Sequence, residues 1–187
     1  MPSGRNQTHG VDTEVEALQL RRVPDPYDDP DALALMHALD DELATTYGSG
    51  DREPVDPNDF TPPTGLFLVG YEGGEPLACG GYRLRRDVRP GAIDAEVKRM
   101  YVVPTARRRG HGRTILAALE RNAHDAGATR AILETGIRSV EAFAMYQHTG
   151  FLVIPPFSNV YADSPTNRGM AKSLDGHVTA SGLSPNP

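Results

Sequence analysis

The residues with the most chemical meaning lie between Glu96 and Gly136. A β-type run, Glu96-Val97-Lys98-Arg99-Met100-Tyr101-Val102, is followed by Pro104, then by Arg107-Arg108-Arg109-Gly110-His111-Gly112, which opens an apolar, helix-periodic segment. A strand that feeds a basic, glycine-bearing turn into a helix start is a phosphate-binding device. Amides of the first helical turn have no intrahelical acceptor, the helix dipole gathers positive charge there, and glycine lets a ligand approach the main chain. Two better-known phosphate loops are excluded by spacing. A Walker loop needs a glycine five positions before Gly-Lys-Ser/Thr, whereas Gly112-Arg113-Thr114 is preceded there by Arg107 and has arginine for lysine. A dinucleotide fingerprint needs a small residue three positions after Gly112, and that residue is Ile115. What remains is R-x-x-G-x-G, from Arg107 to Gly112, directly after a strand.

Three blocks in the right order carry a resemblance. The R-x-x-G-x-G string and its helix, Arg107 to Ala126, resemble the coenzyme A loop of the GNAT superfamily of N-acetyltransferases. Ala95 to Val102 is similar to that family's fourth strand. Ala142-Phe143-Ala144-Met145-Tyr146-Gln147-His148-Thr149-Gly150-Phe151 is similar to its A-x-x-x-Y-x-x-x-G-F helix ending. The blocks cover about the central third of the chain, and the flanks from Glu16 to Leu174 match in element pattern.

The resemblance implies an α/β (α+β) GNAT fold, with a mixed, mostly antiparallel sheet of about six or seven strands flanked by about four helices. It implies acetyl-CoA as acyl donor and no metal. Met100 and Val102 would pair main chain with the pantetheine arm like an added strand, while amides from Arg108 to Arg113 grip the diphosphate. The cofactor set is then Met100, Val102, Arg107, Arg108, Arg109, Gly110, His111, Gly112, Arg113 and Thr114; His111 reads equally as a solvent-facing spacer or a phosphate donor. Transfer to an amine poses two proton problems, because a free alkylamine sits near ~10.4 and a thiol near ~8.5. Glu96 occupies the position where some members hold a glutamate base, and Tyr146 matches the tyrosine set beside the sulfur. Glu134, at the end of the second strand, competes for the base role. Alternation puts Glu96, Lys98 and Met100 on one face, so a salt bridge from Glu96 to Lys98 also explains that residue. Tyr146 also fits a core position on an amphipathic helix. The asparagine often found seven residues before that tyrosine is Ser139 here.

Those residues must be positioned by elements that the pattern supplies. Glu16 to Val23 reads as a strand, and Asp31 to Tyr47 as a helix started by Asp29-Pro30. The Gly48 to Gly65 connection holds prolines at 54, 57, 62 and 63 and reads as a rim beside the acceptor pocket. Strands at 66–72 and 76–87 form a hairpin through Gly73-Gly74. A helix from Gly110 to Ala126 stops at Gly127, a strand follows at 131–135, a helix runs from about Ser139 to His148, and strands at 151–154 and 169–174 close the domain.

Composition bounds the function. A length of 187 residues suits one domain, taken as 14–174 between flexible segments 1–13 and 175–187. The single cysteine, Cys79, forbids an internal disulfide and reads as a small buried residue. The six histidines show no metal-ligand spacing. A net charge of −6 argues against nucleic-acid binding, and the absence of a long apolar stretch argues against a membrane span and for a cytoplasmic protein. A homodimer is the expectation on symmetry grounds alone. The acceptor is expected between the 47–64 connection, the strand at Tyr82 and Arg83, and the 155–167 loop. There Asp51, Glu53, Asp56, Asp59 and Asp163 favour a cationic amine, while Arg83, Arg85 and Arg86 suit a carboxylate equally. The leading expectation is a small-molecule amine; a protein lysine or N-terminal acetyltransferase and a non-catalytic coenzyme-A sensor are the alternatives.

Overall fold

The computed structural model describes residues 17–175 other than 52, 54, 162 and 163, so the 1–13 segment, the 175–187 tail beyond Asp175, and Asp163 of the rim lie outside the described residues. The chain forms β1 (Gln19–Val23), α1 (Pro30–Tyr47), β2 (Gly65–Glu72), β3 (Glu75–Arg85), β4 (Asp94–Val102), α2 (His111–Asp125), β5 (Arg130–Gly136), α3 (Val140–His148), β6 (Leu152–Ile154) and β7 (Asn167–Ser173). The seven strands make one sheet in the order β1-β2-β3-β4-β5-β7-β6. Every neighbouring pair is antiparallel except β4 and β5.

Local chemistry sets the helix ends. Asp29 caps α1 by accepting from the Ala32 amide at 3.0 Å, Pro30 supplies a preset first residue, and Gly48 closes the helix at φ 86°. Where about four helices were expected, three α-helices stand among the described residues, with 3-10 turns at Pro57–Phe60 and Pro104–Ala106. The proline-rich 48–65 connection holds only the first of these turns, since proline cannot continue a helical ladder.

Both sheet faces are covered, which is why β2 is apolar at successive positions. Leu66 and Leu68 join Ala95, Val97, Ile115, Leu119, Leu133 and Tyr146 in a core under α2 and α3. Phe67 and Val69 join Leu35, Met36, Phe60, Cys79 and Tyr101 under α1. At the α2 face a buried ion pair spans the core edge: Lys172 Nζ donates to Glu120 Oε2 at 2.7 Å, and Glu120 is 5% exposed.

The sheet departs from regularity where the site lies. Between β3 and β4 the pairing jumps from Cys79↔Tyr101 to Gly81↔Lys98, leaving Gly80 opposite two residues, Arg99 and Met100. This β-bulge, with Arg99 at φ 58°, resets the alternation. Ala95, Val97, Met100 and Val102 face α2 and α3, whereas Tyr101 faces α1. The expected common face of Glu96 and Met100 is therefore wrong: an extra residue between them turns Met100 to the opposite side from Glu96 and Lys98. A Cβ at position 80 would meet the Met100 sulfur, so glycine there lets Met100 lie against β3 where it does.

Replacing Lys172 by Met strands the buried Glu120 charge. We expect a loss of about 3 kcal/mol, read as a lower urea midpoint with an unchanged slope, and K172M/E120L recovering most of it.

Candidate active site

The parallel pair is joined at one end only. β4 and β5 align through Asp94↔Arg130, Ala95↔Ala131 and Glu96↔Ile132 and then separate. β5 remains fully paired to β7 from Arg130 to Gly136, so its side toward β4 has no partner strand beyond Ile132. On β4, the Val103 amide donates to Leu77 at 2.9 Å, so the main chain of alternate residues Met100 and Val102 points toward the gap. The Met100 edge is open, while the Val102 carbonyl already accepts from Arg107 Nε at 3.0 Å.

At the gap's mouth stands the basic turn. Arg108 adopts φ 63° and Gly110 φ 89°, and no hydrogen bond among the described residues takes up the amides of 108 to 113. Residues in this left-handed region next to a helix start form an anion-binding concavity, and a non-glycine residue there stores strain typical of functional loops. The side chains divide sharply. Arg107 pairs with Glu42 and lies over the Tyr101 ring. Arg109 pairs with Glu72, and His111, 5% exposed, turns inward with Nε2 3.1 Å from Glu72 Oε2. The His111 side chain is thus neither solvent-facing nor turned outward to a phosphate. Glu72, which the sequence did not mark, pairs with Arg109 before Gly110 and lies against His111 after it, the latter approach not being a well-formed hydrogen bond. Arg108 and Arg113 are exposed and make no ion pair among the described residues. Thr114 is exposed, with its amide bonded to the Gly110 carbonyl at 3.0 Å. The free amides, open Met100 edge and unfilled strand register fit a diphosphate-bearing pantetheine ligand.

Tyr146 lies on the inward face of α3, 6% exposed, its ring edge-on to Phe151 at 5.6 Å. Burial alone pushes the phenol's pKa well up, and its hydroxyl has no partner among the described residues. Position 139 is held from another direction: Tyr47 at the end of α1 bonds Ser139 Oγ at 3.1 Å and accepts from the Arg138 amide at 3.0 Å.

The sheet face opposite Tyr146 carries a layer of charge. Arg83 donates to Glu96 Oε2 at 2.7 Å, Asp59 at 3.1 Å and Glu53 at 2.6 Å. Arg85 Nη1 donates to the same Glu96 oxygen at 2.6 Å. Lys98 reaches Glu53 at 2.9 Å and stands 3.7 Å from Glu96 Oε1, so the salt-bridge reading of Glu96 holds, with two arginines added. Arg99 pairs with Asp40. Burial works to raise Asp51, but Lys98 and Arg99, with a bond from Tyr161 at 2.8 Å, hold its pKa below the ordinary value. Of the acids assigned to the rim, Asp51, Glu53 and Asp59 therefore neutralise the strand cations, and Asp56 caps the 3-10 turn.

Glu134 differs from Glu96. Its Oε1 accepts from the Phe157 and Ser158 amides at 2.9 and 3.2 Å, while its buried Oε2 has no well-formed hydrogen bond. Burial raises its pKa against the pull of those amides and the Asn167 side chain. Beside it a cavity of about 390 Å3 is lined by Glu53, Arg85, Asp87 and Val88 on one wall and by residues 157–160 on the other. Glu53 and residues 157–160 belong to the two expected loops, but neither Tyr82 nor Arg83 lines this cavity: Tyr82 belongs to the core under α2 and Arg83 is enclosed by Glu53, Asp59 and Glu96. Arg86 is exposed beyond the strand. Cys79 is fully buried, its thiol raised to about 12 by burial and donating to the Arg99 carbonyl at 3.3 Å. Among the described residues no group of three His, Cys, Asp or Glu is placed to hold a metal, and no helix is long and apolar enough to cross a membrane.

Known proteins share this fold. The model of the acetyltransferase (GNAT) family matches residues 33–151. An IAA acetyltransferase of Azospirillum brasilense is 33% identical over 140 residues, 75% of this chain and 88% of that protein. A Klebsiella pneumoniae protein, named as a candidate acyl-CoA N-acyltransferase, superposes with a TM-score of 0.68 at 28% identity, over 84% of this chain and 97% of that one. A GNAT family acetyltransferase of Elizabethkingia anophelis, solved with acetyl-CoA bound, has a TM-score of 0.58 at 16% identity, over 83% of this chain and 97% of its own.

The contacts of Glu72 make a local prediction. Glu72→Gln should fray the first turn of α2, accelerating hydrogen exchange of the Thr114 amide by about tenfold while the melting temperature moves little; unchanged exchange would show that the turn holds itself.

Proposed function

Because the chain belongs to the acetyltransferase (GNAT) family, we propose that it transfers an acetyl group from acetyl-CoA to the primary amine of a small molecule, by direct attack with both substrates bound. The observation that carries this is the β4–β5 gap, with unpaired amides at 108–113 at its mouth and a half-open cavity of about 390 Å3 on the other face. A cavity of that size, near the lower end of small-molecule sites, suits a compact acceptor better than a polypeptide tail. When bound, acetyl-CoA supplies an activated acyl group on a thiol leaving group.

The chain's own groups then have separable tasks. The amides of 108–113 hold the diphosphate, with Arg108 and Arg113 free to add charge-assisted contacts. The open edge of Met100 orients the pantetheine arm and offers an amide where oxyanion charge develops, a contact worth roughly 2.7 to 4 kcal/mol in a well-studied enzyme. Tyr146, kept neutral by burial, donates a hydrogen bond to the departing sulfur.

Proton removal falls to a carboxylate on the rim face, where Glu96 and Glu134 both stand. Glu96 is 2% exposed and gives one oxygen to two guanidinium groups, leaving only Oε1 for a base role. Glu134 has a raised pKa and a second oxygen with no well-formed hydrogen bond, only the pull of the Asn167 side chain, beside the cavity-lining residues 157 and 158. A base is most effective when its pKa approaches the working pH, and that observation favours Glu134, with Glu96 fixing the arginines.

Acetyl-CoA-dependent thiol release across an amine panel tests the reaction. Turnover of small amines is expected; acetylation of peptides alone would indicate a protein acetyltransferase, and cofactor binding without release a sensor. In the active enzyme kcat/KM should fall as pH drops through an acid limb above ~4.3, the unperturbed glutamate value, since the protonated carboxyl accepts nothing. Glu134→Gln should erase that limb and cost on the order of 10²-fold or more. Loss of the limb in Glu96→Gln instead would return the role to Glu96. Tyr146→Phe should lower kcat with little change in the KM for acetyl-CoA; an unchanged kcat would remove Tyr146 from the reaction.

A further inference from the structure

We infer that the acceptor carries a carboxylate, received by the outward fork of Arg85 in the position that Asp87 now fills. This rests on the reading of the chain as a small-amine acetyltransferase and narrows its substrate to amino-carboxylates with an apolar group.

Arg85 ends β3 with its guanidinium anchored from behind. Nη1 donates to Glu96 Oε2 at 2.6 Å, and Glu96 is itself buried and tied to Arg83. The remaining edge, Nε and Nη2, faces Asp87, which accepts at 2.7 Å on each of its two oxygens. Two parallel N–H groups meeting two carboxylate oxygens is the geometry by which arginine reads carboxylates.

Asp87 is a solvent-accessible occupant. Its side chain is 68% exposed, two residues beyond its partner and past the strand end, whereas Arg85 is 18% exposed. The pair is nonetheless a formed bidentate one, the Asp87 carboxyl being lowered to about 2 chiefly by Arg85, so an incoming carboxylate exchanges like for like at the fork and gains its advantage from the apolar contacts across the cavity. Both residues line the cavity of about 390 Å3. The other strand cations are not available in this way: Arg83 serves three carboxylates at 11% exposure, and Lys98, at 8%, lies among Glu53, Asp51 and Glu96. Across the cavity Phe157 and Val160 supply apolar surface, with Val88 beside Asp87. The Phe157 and Ser158 amides lead to Glu134. An acceptor with its carboxylate on Arg85 and its apolar group against Phe157 and Val160 has its amine left for the Glu134 side.

The test compares matched acceptors: phenylalanine, phenylalaninamide and phenethylamine, with leucine and its amide as a second set. Phenylalanine and leucine should exceed their carboxylate-free partners in kcat/KM by about tenfold or more. Asp87→Asn, a surface change that leaves folding intact, should lower the KM for the amino acid by removing its competitor, and Arg85→Met should abolish the preference. Equal or better turnover of the carboxylate-free amines, or a raised KM in Asp87→Asn, would overturn the inference and make Asp87 a receiver of ammonium. Calorimetry with N-acetylphenylalanine keeps the question independent of turnover. Binding that tightens in Asp87→Asn and vanishes in Arg85→Met supports the carboxylate site even if no amine reacts, in which case the acetyltransferase reading alone fails; no binding to either wild type or Asp87→Asn sinks the site.

Discussion

Parallel strands β4 and β5 hydrogen bond only from Asp94 to Glu96 and from Arg130 to Ile132, and every main-chain group beyond that point must find a partner elsewhere. β5 cannot swing back, because β7 holds it along its whole length. β4 cannot either, because the bulge at Arg99 and Met100 turns its path, and the bulge is pinned by the Cys79 thiol on the Arg99 carbonyl and by Arg99 on Asp40. The opening is therefore built from sheet register, and helices α2 and α3 pack where its contents would lie.

The two faces of the opening are chemically unlike. Under α2 and α3 the walls are apolar, and Tyr146 is the polar tip within them. On the rim face the four cations Arg83, Arg85, Lys98 and Arg99 of β3 and β4 meet Glu96 on β4, Asp51, Glu53 and Asp59 from the 48–64 connection, Asp40 from α1 and Asp87 just beyond β3. Burying such a layer is costly unless every charge is matched, so the rim connection is as much a part of the strand packing as it is a border of the cavity.

Much of this was legible in the sequence because it depends on local rules. The strand, basic turn and helix around Gly110 follow from main-chain amides and glycine, and the helix ending at Tyr146-x-x-x-Gly150-Phe151 from a motif that survives in the core. Residue alternation failed at Met100, since a bulge inserts one residue without a strong marker; Gly80-Gly81 opposite was the available hint. The rim acids were read as a lure for amines because their partners, Arg83, Lys98 and Arg99, lie tens of residues away and only topology joins them. Glu72 was invisible for the same reason: an acid before a Gly-Gly turn reads as surface until β2 and the start of α2 meet.

The matched charge layer also limits how this fold can be remodelled. Asp51, Glu53 and Asp59 bring three negative groups from a single connection to cations fixed in the strands. A rim segment transplanted from another protein therefore has to arrive with the same electrical complement, whatever its length or shape, or the strands beneath it are left with uncompensated charge. Diversification of the cavity is easiest at positions outside that ledger, such as 157 to 160 on the facing wall.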